Sequence, residues 1–186
     1  IPKGRFYTAA LRMWSNTTIF FERGAELYGS DDCEDYEIFA IPENVQMRSD
    51  MEMISQYYGT PWDSYRRAII TAYGEKNISI IGEKGSQING QNCFDEQGEE
   101  GYRGPHAINM WFCENVTLKG YTIRDSANWA HAIQNSKNIK VDGITVLGGH
   151  DGFDVRTCDN ILVEDCVFRT GDDSIAGFDN NDVVIG

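Results

Sequence analysis

The sequence predicts an all-β protein, a right-handed parallel β-helix with about 22 residues per coil. The first observation behind this prediction is a repeat. Four-residue segments that begin at Asn115, Asn138 and Asn160 align without gaps, and a fourth copy begins at Asp182. The offsets between them are 23, 22 and 22 residues, which is typical of a solenoid whose coils stack on one another.

The second observation is an alternation of apolar and polar residues inside each repeat. A period of two residues is typical of strands that bury one face, and it does not fit a helix. A glycine or aspartate bend then separates two short strands in each coil, at Gly120, Gly143 and Asp165. The pattern places these apolar side chains of the central coil in the core: Ile139, Val141, Ile144 and Val146.

Length and charge set the remaining limits. With 186 residues, 41% of them hydrophobic, the chain is expected to form a single domain over residues 1–186. The chain opens in a strand-like segment and stops in the middle of a coil without a capping repeat, so we expect this domain to be partial, with coils missing at both ends. A net charge of −13 without a basic stripe argues against nucleic acid and anionic membranes as partners, and we expect a monomer.

Two insertions interrupt the earlier coils, one at Ser30–Ser64 and one at Gln91–Gly104. Long insertions in a solenoid usually emerge on one side, where they form the walls of a ligand groove. Aromatic residues in and beside them could stack on sugar rings, although core packing is the alternative for each one. These residues are Tyr57, Tyr58, Trp62, Tyr65 and Tyr102.

Three carboxylates fall in two adjacent coils. Asp151 and Asp173 are one repeat apart, so they are expected to stack at about 4.8 Å, the spacing of neighbouring strands. The same repeat position one coil earlier is assigned to Asn128, and Asp172 shares its column with His150. Like charges this close raise the pKa of at least one carboxyl group.

Three interpretations of this cluster remain open from spacing alone. A protonated carboxylic acid beside an ionised carboxylate is the arrangement that glycoside hydrolysis needs. Calcium is a second interpretation, because hard oxygen ligands suit it. Ordinary turn chemistry, in which aspartates bond to their own backbone, is the third. Five cysteines show no metal-ligand spacing.

The motifs around these carboxylates resemble glycoside hydrolase family 28, the polygalacturonases and related pectinases. The segment Asp151–Asp154 (Asp-Gly-Phe-Asp) is followed one coil later by Gly171–Ala176 (Gly-Asp-Asp-Ser-Ile-Ala), at the interval of that family. Shorter phrases at residues 1–7, 76–82, 88–90 and 103–106 are similar to earlier markers of the family.

The resemblance implies roles for individual residues. It makes Asp172 the general acid, the holder of the proton, and assigns activation of the hydrolytic water to Asp151 and Asp173. It implies an inverting reaction at galacturonic acid linkages of a pectin-type polysaccharide, with no cofactor and no metal, in a secreted or periplasmic protein. The stacking distance alone is closer to that of retaining enzymes, which use carboxylates about 5–5.5 Å apart.

We expect His150, Asn128 and Asp154 to contact substrate. The family's Asn-Thr before the first aspartate is Gly149-His150 here, and the family's later histidine and basic pair fall beyond Gly186. From residue 137 onward the chain carries ten acidic and four basic residues, so galacturonan, rhamnogalacturonan and neutral sugars remain open as substrates. Two alternatives remain. One is a non-catalytic β-helical protein that binds polysaccharide or is a surface protein, and the other is a calcium-dependent polysaccharide lyase.

Overall fold

The computed structural model describes residues 1–40 and 64–186, which form strands and two 3₁₀ turns, at Cys33–Asp35 and Ser64–Arg66. The strands are β1 Gly4–Thr8, β2 Leu11–Arg12, β3 Thr18–Phe21, β4 Ala25–Gly29, β5 Ala68–Tyr73, β6 Lys76–Gly82, β7 Gln87–Asn89, β8 Phe94–Glu99, β9 His106–Trp111, β10 Glu114–Lys119, β11 Thr122–Arg124, β12 His131–Gln134, β13 Lys137–Asp142, β14 Thr145–Leu147, β15 Phe153–Arg156, β16 Asp159–Glu164, β17 Val167–Arg169, β18 Ile175–Phe178 and β19 Asn181–Ile185.

The strands stack into three parallel sheets of six strands each, so every coil contributes one strand to each sheet. We call them the first sheet (β1, β4, β7, β11, β14, β17), the second sheet (β3, β6, β10, β13, β16, β19) and the third sheet (β2, β5, β9, β12, β15, β18). The chain is a right-handed parallel β-helix, as the repeat predicts. Among residues 1–40 and 64–186 no helix has the length and apolar character needed to cross a membrane.

The core lies inside the solenoid and is built from columns of stacked apolar side chains. Val116 pairs with Ile139, and Ile139 pairs with Ile161, at offsets of 23 and 22 residues. The four inward residues predicted for the central coil, Ile139, Val141, Ile144 and Val146, are at most 2% exposed, which confirms the prediction. Each such column removes apolar surface from water on every coil, and this is the main stabilising term of the fold.

The asparagine that opens each repeat has two structural reasons to be there. Asn77, Asn115, Asn138 and Asn160 have φ between 56° and 59°, a left-handed conformation that asparagine tolerates better than most residues. Their amide side chains also form a ladder along the second sheet, each Nδ2 donating to the Oδ1 one coil earlier at 2.8–2.9 Å. The Asn-x-Ser/Thr sequences at Asn77 and Asn115 are therefore explained by the fold.

Thr157 occupies a left-handed turn that disfavours it. Its φ is 56°, whereas Asn135 and Asp179 stand at comparable turns one coil away on either side. A β-branched residue is strained there, so Thr157→Asn is expected to stabilise the protein by roughly 0.5–1 kcal/mol. Urea unfolding measures the difference. Thr145→Asn, the same change within a strand, is the control and should not stabilise, and an equal gain from both variants would contradict the explanation.

Both insertions leave the solenoid at the same corner, where the first sheet turns into the third. The first insertion follows β4, and its described ends pack outside the third sheet: Phe39 joins Tyr73 and Trp111 in one apolar cluster, and Tyr65 packs on Trp129. The second insertion follows β7 and folds back on itself, with Arg103 bridged antiparallel to Phe94. The candidate stacking residues Tyr57, Tyr58 and Trp62 lie outside the described residues.

Candidate functional site

The three predicted carboxylates lie on two consecutive turns at the corner from which the insertions emerge. β15 and β18 pair with Phe153 opposite Ile175, and Gly152 N donates to Asp173 O at 2.9 Å. This register stacks Asp173 on Asp151. Asp172 N lies 3.5 Å from His150 O, which places Asp172 in the column of His150. The backbone therefore arranges these four residues as the repeat predicts.

Asn128 does not belong to this column, and its predicted position is wrong. β12 and β15 pair with Ala132 opposite Asp154, and Ala130 N donates to Asp151 O at 2.8 Å, so Trp129 stacks under Asp151. β11 and β14 still pair at an offset of 23 residues, whereas β12 and β15 pair at 22, so the turn between β11 and β12 is one residue longer. Because of that extra residue the alignment slips by one position.

The carboxylates surround a cavity of about 250 Å³. Six acidic residues and two arginines line it together with Trp129 and Ala176; the charged residues are Glu99, Glu100, Arg103, Asp151, Asp154, Arg156, Asp172 and Asp173. A larger cavity of about 350 Å³ lies at turns of the first coils, around Tyr7 and Asp31. We take the smaller cavity as the candidate site because acidic groups suited to proton transfer converge there with two guanidinium groups.

Arg103 supplies a positive charge to the cluster from the second insertion. Its Nη2 lies 3.2 Å from Asp172 Oδ2, and its Nη1 lies 4.0 Å from Asp151 Oδ1. Its Nε donates to Glu100 Oε2 at 3.0 Å, and Glu99 Oε2 is 4.0 Å from Nη1. Although the Asp172 side chain is 54% exposed, the arginine side chain is only 6% exposed. The repulsion that the sequence predicts between the carboxylates is therefore offset in part by a cation of the protein itself.

Two carboxyl groups of the site have a raised pKa. Burial, followed by the charge of Asp172, raises the pKa of Asp151 to about 6. Burial, followed by the charge of Asp151, raises the pKa of Asp154 to about 9, so Asp154 is neutral at pH 7. The sequence interpretation gave the proton to Asp172; the structure makes Asp154 a second candidate holder of a proton beside an ionised base.

Asp154 points out of the third sheet into the cavity and is 1% exposed. Among the described residues neither of its oxygens accepts a hydrogen bond, and Arg156 Nη2 lies 3.8 Å from Oδ1. A buried carboxyl group without a hydrogen-bond partner is costly, so a ligand hydroxyl that bonded to it would relieve that cost. Contact of Asp154 with substrate stays a prediction.

One wall of the cavity is a stack of aromatic and cationic side chains. The Arg156 guanidinium lies over the Trp129 ring at 4.3 Å from its centroid, and Tyr65 meets the same ring edge-on at 5.4 Å. Tyr65 also donates to Glu99 Oε2 at 2.9 Å, which joins the first insertion to the second. Burial lowers the pKa of His106, which packs against Trp129 and Tyr65, to about 3.

The two remaining predicted residues take different positions. His150 is half-buried at the edge of the site, with its ring 5.5 Å from that of Tyr102, and burial followed by the Arg103 charge lowers its pKa. Asn128 is 3% exposed, and its Oδ1 accepts from Trp129 N at 3.0 Å within its own turn. Substrate contact by Asn128 stays a prediction.

Five charged or aromatic residues that line the cavity lie beyond the predicted set, and different signals locate them. Arg156 stands two residues after Asp154 on one strand, so the period of two would have placed both on the same face. Trp129 follows from the register once the longer turn is recognised. Glu99 and Glu100 lie in an insertion without a repeat, and no periodic signal locates them. Arg103 belongs to a short motif at residues 103–106, and that motif does not indicate its position in the site.

Comparison of the sequence with known proteins gives a family match and several relatives. Residues 40–185 match the model of the family described as "Glycosyl hydrolases family 28". The chain is 25% identical over 202 residues to a Vitis vinifera protein named "Probable polygalacturonase", covering 100% of this chain and 38% of that protein. It is 29% identical over 119 residues to a Saccharomyces cerevisiae polygalacturonase, covering 58% of this chain and 33% of the yeast protein. The chain thus spans less than half the length of these two relatives.

Solved structures share the fold. A polygalacturonase from Erwinia carotovora superposes with a TM-score of 0.73 at 17% identity, covering 97% of this chain and 51% of that chain. A family 28 exopolygalacturonase from Yersinia enterocolitica gives a TM-score of 0.72 at 19% identity, covering 95% and 38%. At these identities the likeness establishes the β-helix and nothing finer.

Proposed function

Because this chain belongs to family 28 of the glycosyl hydrolases, we propose that its protein hydrolyses a pectin-type polysaccharide at galacturonic acid linkages, with inversion at the anomeric carbon. The observation that carries the proposal is the meeting of Asp151, Asp172 and Asp173 around one cavity. Polygalacturonases among the relatives support the substrate class.

The proposed roles follow from the family motifs and from the positions of the side chains. Asp172, the most open carboxylate of the Arg103 cluster, protonates the leaving oxygen as general acid. Asp151 and its stacked neighbour Asp173 activate the water. The Arg103 guanidinium contacts both Asp151 and Asp172. This contact supports a separation of their carboxyl groups that is wider than the spacing of stacked residues. An inverting reaction requires such a separation to admit water. Asp154, His150 and Asn128 contact the sugar.

The wider assignments are proposals of the same kind. The three continuous sheets support one domain over residues 1–186. We infer a secreted or periplasmic protein from the family, and a polysaccharide as its partner. The protein requires no metal for this reaction, because the general acid and the water-activating groups are side chains.

The direct test is cleavage by the protein in its full natural length. Polygalacturonate is the first substrate, with rhamnogalacturonan and neutral galactan alongside. Hydrolysis produces new reducing ends without a double bond, and it should persist in a calcium chelator. An unsaturated product that requires calcium would replace the proposal with a lyase. Binding to polygalacturonate without cleavage of any of the three glycans would favour a non-catalytic binding protein.

The pKa of Asp151 predicts a pH dependence. A base must be ionised, and its pKa is about 6, so kcat/KM is expected to fall as the pH drops through about 6. Below that pH the loss should approach about tenfold per pH unit. A pH–rate profile of the free enzyme measures this limb. A flat profile between pH 7 and pH 5 would contradict the assignment of Asp151 as a base.

A further inference from the structure

Arg103 is unusual because its charge is buried among acidic groups that belong to separate parts of the fold. Glu99 and Glu100 come from its own insertion, Asp151 from one coil, and Asp172 from the next. A guanidinium that is only 6% exposed is costly to bury unless carboxylates surround it. Burial alone would lower the pKa of Arg103, but Glu99 and Glu100 outweigh burial and raise it, so the side chain stays charged.

We propose that Arg103 is a positioning residue, the internal cation that holds Asp151 and Asp172 apart and keeps Asp151 available as a base. The proposal rests on the proposed function for its catalytic meaning. Its geometric basis is independent of that function: one planar fork contacts a carboxylate on each of two stacked coils. A lysine cannot reproduce this, because an ammonium group is a single point charge on a flexible stem.

The electrostatic balance at Asp151 identifies what Arg103 contributes. Burial and the charges of Asp172 and Asp173 raise the pKa of Asp151, while the nearby carboxyl group of Asp154 and the charge of Arg103 lower it. Arg156, the other cation of the cavity, faces Asp154 at 3.8 Å. Without Arg103 the carboxyls of Asp154, Asp172 and Asp173 would surround Asp151, and residues 1–40 and 64–186 would place no cation between Asp151 and Asp172.

The expected consequence is a change in pH dependence. In Arg103→Gln the pKa of Asp151 should rise by roughly one unit or more, because an opposite charge within about 4–6 Å lowers a carboxyl pKa by that amount. The acidic limb of kcat/KM then moves to higher pH. For each protein, the activity at pH 5 is divided by its activity at the pH optimum. This ratio should be about tenfold lower in the variant than in the wild type. In Arg103→Lys the acidic limb of kcat/KM should lie between that of the wild type and that of Arg103→Gln.

Arg67→Gln is the matched control. Arg67 also pairs a guanidinium with two acidic residues, with Nη1 at 3.1 Å from Asp95 Oδ2 and Nη2 at 2.9 Å from Glu34 Oε1. It ties the second insertion to the first, but it does not line the cavity. If the role of Arg103 were purely structural, Arg103→Gln and Arg67→Gln would behave alike. Both would have a lower Tm, and both would keep the acidic limb of kcat/KM at the wild-type pH.

The deciding measurement is the Asp151 pKa itself, read from the carboxyl carbon NMR signal that disappears in Asp151→Asn. An upward shift in Arg103→Gln and none in Arg67→Gln supports the proposal, whether or not the protein cleaves pectin. Equal pKa values in wild type and Arg103→Gln overturn it. If the glutamine variant does not fold, Arg103→Lys decides in the same way. Absence of cleavage by the wild type would instead refute the proposed function and leave this result intact.

Discussion

Asp172→Asn is expected to lower kcat by about 10²–10⁴-fold, because it removes the group that protonates the leaving oxygen. The fold should persist, since the Asp172 side chain is 54% exposed. Steady-state kinetics on polygalacturonate measures the loss, and the Tm measures the fold.

Asp165→Asn is the matched control for Asp172→Asn. It makes the same chemical change at an exposed bend where φ is 54°, a conformation that asparagine tolerates. Its activity should equal that of the wild type. If Asp172→Asn retained more than about a tenth of the wild-type kcat, acid catalysis would have to be reassigned, and Asp154 is the carboxyl group we would examine next.

The largest expected effect on stability is that of Phe153→Ala. Phe153 is 0% exposed, lies between Asp151 and Asp154 in the chain, and meets the His131 ring edge-on at 5.7 Å. Its loss leaves a cavity inside the solenoid, so the free energy of unfolding should fall by about 3–5 kcal/mol. Urea unfolding measures the change. Activity should fall too, because the strand Phe153–Arg156 carries Asp154 and begins two residues after Asp151.

Phe94→Ala controls for the loss of a phenyl ring. Phe94 is 62% exposed in the second insertion, so its removal should change the free energy of unfolding by less than about 0.5 kcal/mol. A similar loss in both variants would mean that the stability of the protein does not depend on the packing of its inner column.

The repeat predicted the fold because solenoid packing is local. Each coil needs only its neighbour one period away, so the pairing of Val116 with Ile139 and with Ile161 beyond it could be read from spacing alone. The same one-period spacing predicted the stacking of Asp151 and Asp173. It placed Asn128 incorrectly because a turn can gain one residue without disturbing the strands on either side, and the period says nothing about where that residue is added.

Arg103 and Glu99 show the second limit. Both reach the site from an insertion, whose path depends on contacts such as the Tyr65–Glu99 hydrogen bond, and such contacts have no period in the sequence. Ionisation was equally inaccessible. Like charges predicted that a proton must reside somewhere in the cluster, but the raised pKa of Asp154 depends first on its burial, which the position of a residue in a repeat does not determine.

The most direct test of the account is the configuration of the first product. Proton NMR of the full-length protein acting on polygalacturonate distinguishes the two anomers of the new reducing end before they equilibrate. The early signal should belong to the anomer whose configuration is opposite to that of the cleaved linkage, because one carboxylic acid and a carboxylate-activated water act on opposite faces of the sugar. An early product with retained configuration would contradict the roles of Asp172, Asp151 and Asp173.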